Sequence, residues 1–317
     1  MKIISFFYKI YAYFFHRMPN RMFGRIKLNT FVAHYTLVLM NIILPVFFIF
    51  TKNSKKYRLK NERESDNKII VSLTTFPLRV DKVWIVIETL IRQRVKPDLI
   101  VLWISKEQFP SLSVLPKKLL ALQDRGLVIN FVEGDIKSYK KYQYVFQEYP
   151  DDIIILADDD IMYNTDLVEE LTKAHKEEPN VICARYGYKI TRDIDGNCQS
   201  YKEWEKLDHP MSSSDEVFFG SGGGTLIRKY MMHDDLLNIK LAQKLCPTAD
   251  DIYLNAMVRL KKTKIRFVEG PYTIASVIIK NNNVRLALTN IGESLQNDVQ
   301  IANINRHYLE RYGKVVF

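Results

Sequence analysis

Three aspartates in a row, Asp158, Asp159 and Asp160, follow the apolar run Ile153 to Ala157. Carboxylates packed at the end of a buried strand repel one another and cost free energy unless something positive meets them. Hard oxygen ligands suit Mg2+ or Mn2+, so a divalent cation is the usual remedy. A cap for the helix beginning near Thr165 or Asp166 would use one acid, not three. A second acidic pair, Asp250-Asp251, precedes a helical pattern in which Leu254, Met257, Val258 and Leu260 share one face. Thr248 or Asp250 can cap that helix, and Asp251 is then surplus. A helix N-terminus favours the ionised form of a carboxylate, the form that can take a proton from a hydroxyl. Between the two acidic groups lies Gly220-Ser221-Gly222-Gly223-Gly224, holding four of the twelve glycines. Gly222 and Gly223 would let backbone amides approach a sugar or phosphate closely; a hairpin turn is the simpler alternative. The stretch lacks the Lys-Ser/Thr ending of a P-loop and the spacing of a dinucleotide fingerprint.

The elements that must position these groups are legible as alternating patterns. Apolar runs predict strands over 69–75, 98–104, 127–132 and 153–156, and shorter ones at 181–185 and 264–269. Helical spacing marks 83–93, 116–125, 137–148, 167–178 and 301–311. Strands alternating with helices imply an α/β chain, a mostly parallel sheet with helices on both faces. Ligands bind beyond the carboxyl ends of such strands, where Thr74, Thr75, Asp135 and Asp158 to Asp160 all fall. Residues 193–215 are polar and irregular, as a substrate-facing loop region would be.

Charge is distributed unevenly. Residues 1–68 carry thirteen Lys and Arg against three Asp and Glu, so the whole +10 excess of the 317-residue chain lies there. It lies beside the most apolar stretch, which points to an anionic membrane surface and not to nucleic acid. Residues 1–27 mix Phe6, Phe7, Tyr8, Tyr11, Tyr13, Phe14 and Phe15 with bases, the pattern of an interfacial helix. Residues 31–50 are uncharged and just long enough to span a hydrocarbon core, although His34, Asn41 and Pro45 weaken the span. A single span, a surface-lying helix pair and a buried core helix all remain open. The flanking bases favour a cytoplasmic C-terminal side, and residues 52–68 read as a linker. This divides the chain into 1–67, membrane-associated, and 68–317, catalytic. Cys183, Cys198 and Cys246 show no CxxC spacing and suggest neither a disulfide framework nor a zinc site.

A strand ending in Asp-x-Asp, here Asp158-Asp159-Asp160, resembles the metal site of nucleotide-sugar glycosyltransferases of the GT-A fold, a Rossmann-like sheet flanked by helices, which implies Asp158 and Asp160 as the metal ligands. From Lys68 to about Asn297, other features are similar in order. Ser72 to Arg79 looks like the first-strand stretch that holds the nucleotide, with Thr74, Thr75 and Arg79 as donor contacts. Asp135 is placed like the acid that contacts base or ribose, and Asp158 and Asp159 join the donor site. Asp250-Asp251-x-x-Leu254 is similar to the acid-Asp-x-x-Leu element, whose second acid is the base in inverting members. Asp250 stands where Glu is commoner, and no Gln-x-x-Arg-Trp follows, which argues against a polymer-extruding synthase.

The resemblance implies transfer of a sugar from a nucleotide-diphosphate donor, with Mn2+ or Mg2+, to a lipid-linked or saccharide acceptor. The setting implied is bacterial surface polysaccharide synthesis at the cytoplasmic face of the inner membrane. Asp251, with Asp250 beside it, is the expected base. Lys140 or Lys141 would add charge near the phosphates, and His307 is the candidate third metal ligand. A sugar nucleotidyltransferase is the second reading, although Thr74 to Arg79 lacks the glycines its first loop would carry. A non-catalytic carbohydrate-binding protein is the third.

Overall fold

The computed structural model describes residues 2–17, 22–23, 26–59, 67–279 and 296–317. Residues 60–66 of the linker expected at 52–68 lie outside the described residues. So do the tail residues Asn290, Gly292 and Glu293. The main sheet holds eight strands: β1 (Ile69–Thr74), β2 (Leu99–Ser105), β3 (Leu127–Val132), β4 (Ile153–Leu156), β5 (Ile182–Ala184), β6 (Met211–Ser214), β7 (Thr225–Ile227) and β8 (Ile265–Phe267). The principal helices are α1 (Lys2–Ala12), α2 (Leu28–Thr51), α3 (Val80–Ile91), α4 (Leu167–Glu177), α5 (Asp250–Lys261) and α6 (Gln296–Tyr312). Across the sheet the order is β6-β8-β5-β7-β4-β1-β2-β3. β1 pairs in parallel with both β2 and β4, and β2 with β3. β7 is inserted antiparallel between β4 and β5, and β6 closes the far edge antiparallel to β8. The expected layered α/β architecture is present.

Alternation along the strands explains why both faces are covered. Val71, Leu73, Ile100 and Leu102 point to one apolar core, shared with α3 and α4. Ile70, Val101, Trp103, Ile154 and Leu156 point to the other, shared with α5 and α6. Strands buried on both faces read as unbroken apolar runs, which is why β1, β2 and β4 were visible in the sequence. Helix boundaries were less legible. The helix expected over 137–148 is a 3-10 turn followed by two short pieces, Lys140–Gln143 and Val145–Glu148. That expected over 116–125 is one turn, Lys117–Leu120, and a 3-10 turn, closed by Gly126 at φ +102°. The final helix begins five residues earlier than expected.

The N-terminal helices are packed on this domain. Ile4, Phe7, Tyr8 and Tyr11 of α1 and Met40, Leu44 and Phe48 of α2 belong to the same apolar cluster as β1 and α3. Beneath α2, the buried Glu88 of α3 meets two buried guanidiniums. Arg92 Nε lies 2.8 Å from it and Arg125 Nη1 2.5 Å. Arg92 also stacks on the rings of Tyr57 and Phe48, 3.8 and 4.8 Å from their centroids. Removing one partner of such a group leaves charge buried without compensation. Glu88→Ala is therefore expected to lower unfolding free energy by about 3–5 kcal/mol, read by urea denaturation. A loss below about 1 kcal/mol would mean that these pairs are no stronger than surface ones.

Candidate functional site

The strand order reverses between β1 and β4, and beyond the carboxyl ends at such a reversal is where ligands bind in sheets of this kind. β4 is only four residues long, so the chain leaves the sheet at Ala157 and delivers the three acids beyond those ends. Their fates differ. Asp159 is buried, accepting hydrogen bonds from Thr75 Oγ1 and Arg79 Nη1, both at 2.6 Å. Burial pushes its carboxyl up, against the pull of Arg79 and Thr75. Arg79 reaches Asp160 as well, Nη2 to Oδ2 at 3.1 Å. Asp158 is the most open, its side chain 39% exposed, and it pairs with Lys141 Nζ at 2.8 Å.

Lys141 joins the two acidic groups of the sequence. Its ammonium is almost wholly enclosed and lies 3.0 Å from Asp250 Oδ2. That contact is one of charge alone, since the geometry makes no directed hydrogen bond at Asp250 Oδ2. Burial by itself would lower the lysine's pKa, but Asp158, Asp250 and Asp251 outweigh it and hold the ammonium charged. The lysine is positioned by a bond to its own backbone: Ser72 Oγ on β1 donates to the Lys141 carbonyl at 2.5 Å and accepts from Trp103 Nε1 at 2.9 Å.

α5 starts at Asp250 with Ala249 at its cap and no side-chain capping bond, so neither Thr248 nor Asp250 caps it. Asp251 Oδ1 accepts from the Ser221 N–H at 2.9 Å and from the Ser221 hydroxyl. The ionised form expected from the helix N-terminus is not what dominates. Burial and the neighbouring Asp250 raise the Asp251 carboxyl to about 7, with Lys141 and Ser221 pulling the other way. Asn255, one turn along, accepts from the Phe219 N–H and donates to the Phe219 and Asp251 carbonyls, both at 2.8 Å. It fixes the strand Val217–Phe219 that leads into the glycine loop.

That loop is a 3-10 turn, Ser221–Gly223, between Val217–Phe219 and β7. A Cβ at Gly222 would stand 1.8 Å from Asp158 Oδ2, and one at Gly223 2.1 Å from Tyr186 Cβ. Only glycine lets the loop lie against both. Tyr163 staples it to the acids, its hydroxyl accepting from the Asp158 N–H at 2.7 Å and donating to the Gly222 carbonyl at 2.5 Å. Tyr163, Ser221 and Asn255 were not singled out in the sequence; nothing in their spacing distinguishes them from core residues.

Other expected residues fall less centrally. Thr74 Oγ1 donates to the Trp103 carbonyl at 2.8 Å. Lys140 pairs with Asp135, which also accepts from Gln108 Nε2 at 2.6 Å, so this lysine serves the acid that follows β3 while Lys141 serves Asp158. His307 lies on α6 against Tyr308 and, among the described residues, belongs to no group of three metal-ligating side chains. A cavity of about 570 Å³ lined by Arg192, Cys198, Arg259 and Phe317 contains none of the expected catalytic residues.

Among the described residues, no three His, Cys, Asp or Glu side chains are grouped to hold a metal ion. Mg2+ in phosphate chemistry is commonly held by one or two carboxylates, with substrate oxygens and water completing the shell. Asp158 and Asp160, the latter's side chain 19% exposed, are the two more exposed acids of the triplet. Their donor chemistry fits such an ion.

No family model matches the chain, and no curated protein matches it. Several solved structures are similar. Mannosyltransferase PcManGT from Pyrobaculum calidifontis, solved with GDP-Man and Mn2+, is 13% identical over 89% of this chain and 76% of its own, with a TM-score of 0.48. S. aureus TarS is 11% identical over 76% and 72%, TM-score 0.43. The 4-diphosphocytidyl-2C-methyl-D-erythritol synthase of Anaerococcus prevotii is 14% identical over 73% and 100%, TM-score 0.44. These similarities are remote.

Proposed function

We propose that the protein is a glycosyltransferase of GT-A type, moving a sugar from a nucleotide-diphosphate donor to a hydroxyl of a membrane-borne acceptor. The observation that carries this reading is the arrangement around Lys141. One enclosed ammonium holds Asp158, the most exposed acid of the triplet, next to Asp250 and Asp251 at the start of α5. Sugar transfer needs a place for a departing diphosphate and, beside it, a carboxylate able to take a proton from the incoming hydroxyl. A nucleotidyltransferase needs no base for an acceptor alcohol, and Asp251, its carboxyl raised by burial and Asp250, would then have no task.

In this reading Asp158 and Asp160 would hold a divalent ion, which neutralises charge on the leaving diphosphate when bound. Lys141 and Arg79 keep the acids in place and add fixed positive charge beside the phosphates. Asp251 removes the acceptor proton, oriented by the two Ser221 bonds. The Gly220–Gly224 loop brings backbone against donor and acceptor at once. Thr75, Asp135 and Asp159 shape the nucleotide side. A membrane-borne acceptor is supported by a contact chain: Lys206 Nζ lies over both Phe15 of the N-terminal segment and Tyr186, the ring against which the glycine loop packs. Surface polysaccharide assembly on the cytoplasmic face suits the basic, apolar N-terminus.

The test is release of nucleoside diphosphate from a panel of nucleotide sugars, with a membrane lipid extract, in Mn2+, Mg2+ or EDTA. Turnover with one donor is expected, abolished by EDTA. Even residues behind a metal ligand contribute about 10–100-fold, so Asp160→Ala should lose at least that. If no nucleotide sugar is bound or turned over under any metal, the reading is wrong.

A further inference from the structure

α2 is long and apolar enough to cross a membrane, yet its polarity is inside out for a helix on a water-soluble surface. Asn29 and Thr36 lie on its buried face with Ala33, Met40, Leu44 and Phe48, and Asn41 lies beside it. Asn41 docks directly, donating to the Ser276 carbonyl at 3.1 Å and accepting from the Ile278 N–H at 2.8 Å. The outer face carries Phe31, Tyr35, Ile42, Val46, Ile49 and Phe50, all exposed and at helical spacing. A surface helix in water shows the reverse pattern. Half of the large exposed apolar side chains of the described residues lie between Phe6 and Phe50, so the patch is local, as an interaction surface is.

We infer that α2 lies in the plane of an anionic bilayer, its outer face in the acyl region, and does not cross it. Buried positions run from Asn29 to Phe48, nearly the full helix; α1 and the segment after it cover part of this face, and the domain holds it at Asn41 and at Phe48, whose ring lies over Arg92. Spanning would need the whole length, about 36 Å at 1.5 Å per residue, to leave the domain and strand Asn41 in hydrocarbon. Lying flat keeps every one of these contacts. The charge pattern selects the occupant. Lys2, Lys9, Lys52, Lys55 and Lys56 are exposed around the patch, and no acid precedes Glu62 in the chain. Lipid headgroups of negative charge complement such a rim, whereas a second copy would set like charge against like. This inference rests on the membrane-associated part of the proposed function and is independent of the transfer reaction.

The test uses the full chain and vesicles of phosphatidylcholine with or without phosphatidylglycerol, and needs no donor sugar, so its failure leaves the proposed chemistry untouched. Flotation should show binding that phosphatidylglycerol strengthens and salt weakens. The triple variant Phe31→Ser, Tyr35→Ser, Phe50→Ser should lower bound protein about tenfold or more, with an unchanged thermal melt in detergent. Thr30→Cys and Lys52→Cys, each in a Cys198→Ser background, place a thiol at either end of α2. An impermeant maleimide added outside intact vesicles should label both equally. Protection of one end would show a span and overturn the inference. Undiminished flotation of the triple variant would overturn it too, as would a chain that ignores vesicles and forms a dimer dispersed by the same substitutions.

Discussion

Asp251→Asn should reduce the turnover of sugar transfer by about 10²–10⁴-fold, the usual contribution of a positioned base, while donor affinity stays near that of the parent. The amide keeps an oxygen where Oδ1 stands, so the Ser221 N–H and hydroxyl retain an acceptor. What it cannot do is take a proton. A variant that kept full turnover would show that the acceptor hydroxyl is deprotonated elsewhere, with Asp250 the next residue to test.

The same carboxylate makes activity and stability move oppositely with pH. Its folded value, about 7, stands above the 3.8 of an ordinary aspartate because of burial and Asp250. Between those values the folded chain holds a proton that the unfolded chain has released, so this group's contribution to stability falls as pH rises from about 4 and levels off above about 7. Turnover, needing the ionised form, should rise over the upper part of that window, with an apparent value that belongs to the acidic cluster as a whole. Asp251→Asn removes a charge that the native site disfavours, so at pH 8 it should melt higher than the parent while being the poorer catalyst. A flat pH profile between 5.5 and 8, values chosen to bracket a group near 7, would remove Asp251 from the proton-transfer step.

How much of this was readable beforehand follows from what sequence patterns encode. Ile69 to Thr74 and Ile153 to Leu156 announce buried parallel strands because burial on both faces requires unbroken apolar runs. Acids at their ends are conspicuous because nothing in a core tolerates them. The ion pairs were not readable. Lys140 and Lys141 are adjacent, and the short, broken helical pieces around them give no stable period from which to tell which one turns to Asp135 and which to Asp158. Arg79 was legible as a donor contact but not as a clamp on Asp159 and Asp160, a pairing that depends on how β1 and β4 lie side by side. The helix N-terminus pointed to an ionised Asp251, whereas enclosure, a tertiary property, decides its titration. Asn41 looked like a flaw in a membrane span; in the fold it is the residue that fastens α2 to the domain.

Lys141→Met is expected to show the largest combined effect. Methionine preserves most of the side chain's length in a site that is almost wholly enclosed, so packing changes little. The charge is what disappears. Asp158 and Asp250 then face each other and Asp251 with no ammonium between them, and removing one partner of a buried ion pair costs about 3–5 kcal/mol. Urea denaturation at pH 7 should show that loss, and it should shrink as acid protonates the stranded carboxylates. A fall in stability alone would mark any buried lysine, so a second readout is needed. Lys141 lowers the Asp251 carboxyl, opposing burial and Asp250; without it the rising limb of the pH–activity profile should move to higher pH. Whatever activity survives at pH 7 should therefore partly recover at pH 9, where the base is again ionised. Parent-like stability together with an unmoved limb would mean that the two acidic groups are not electrostatically joined through this lysine, and the site would have to be rebuilt from Asp158 and Asp251 separately.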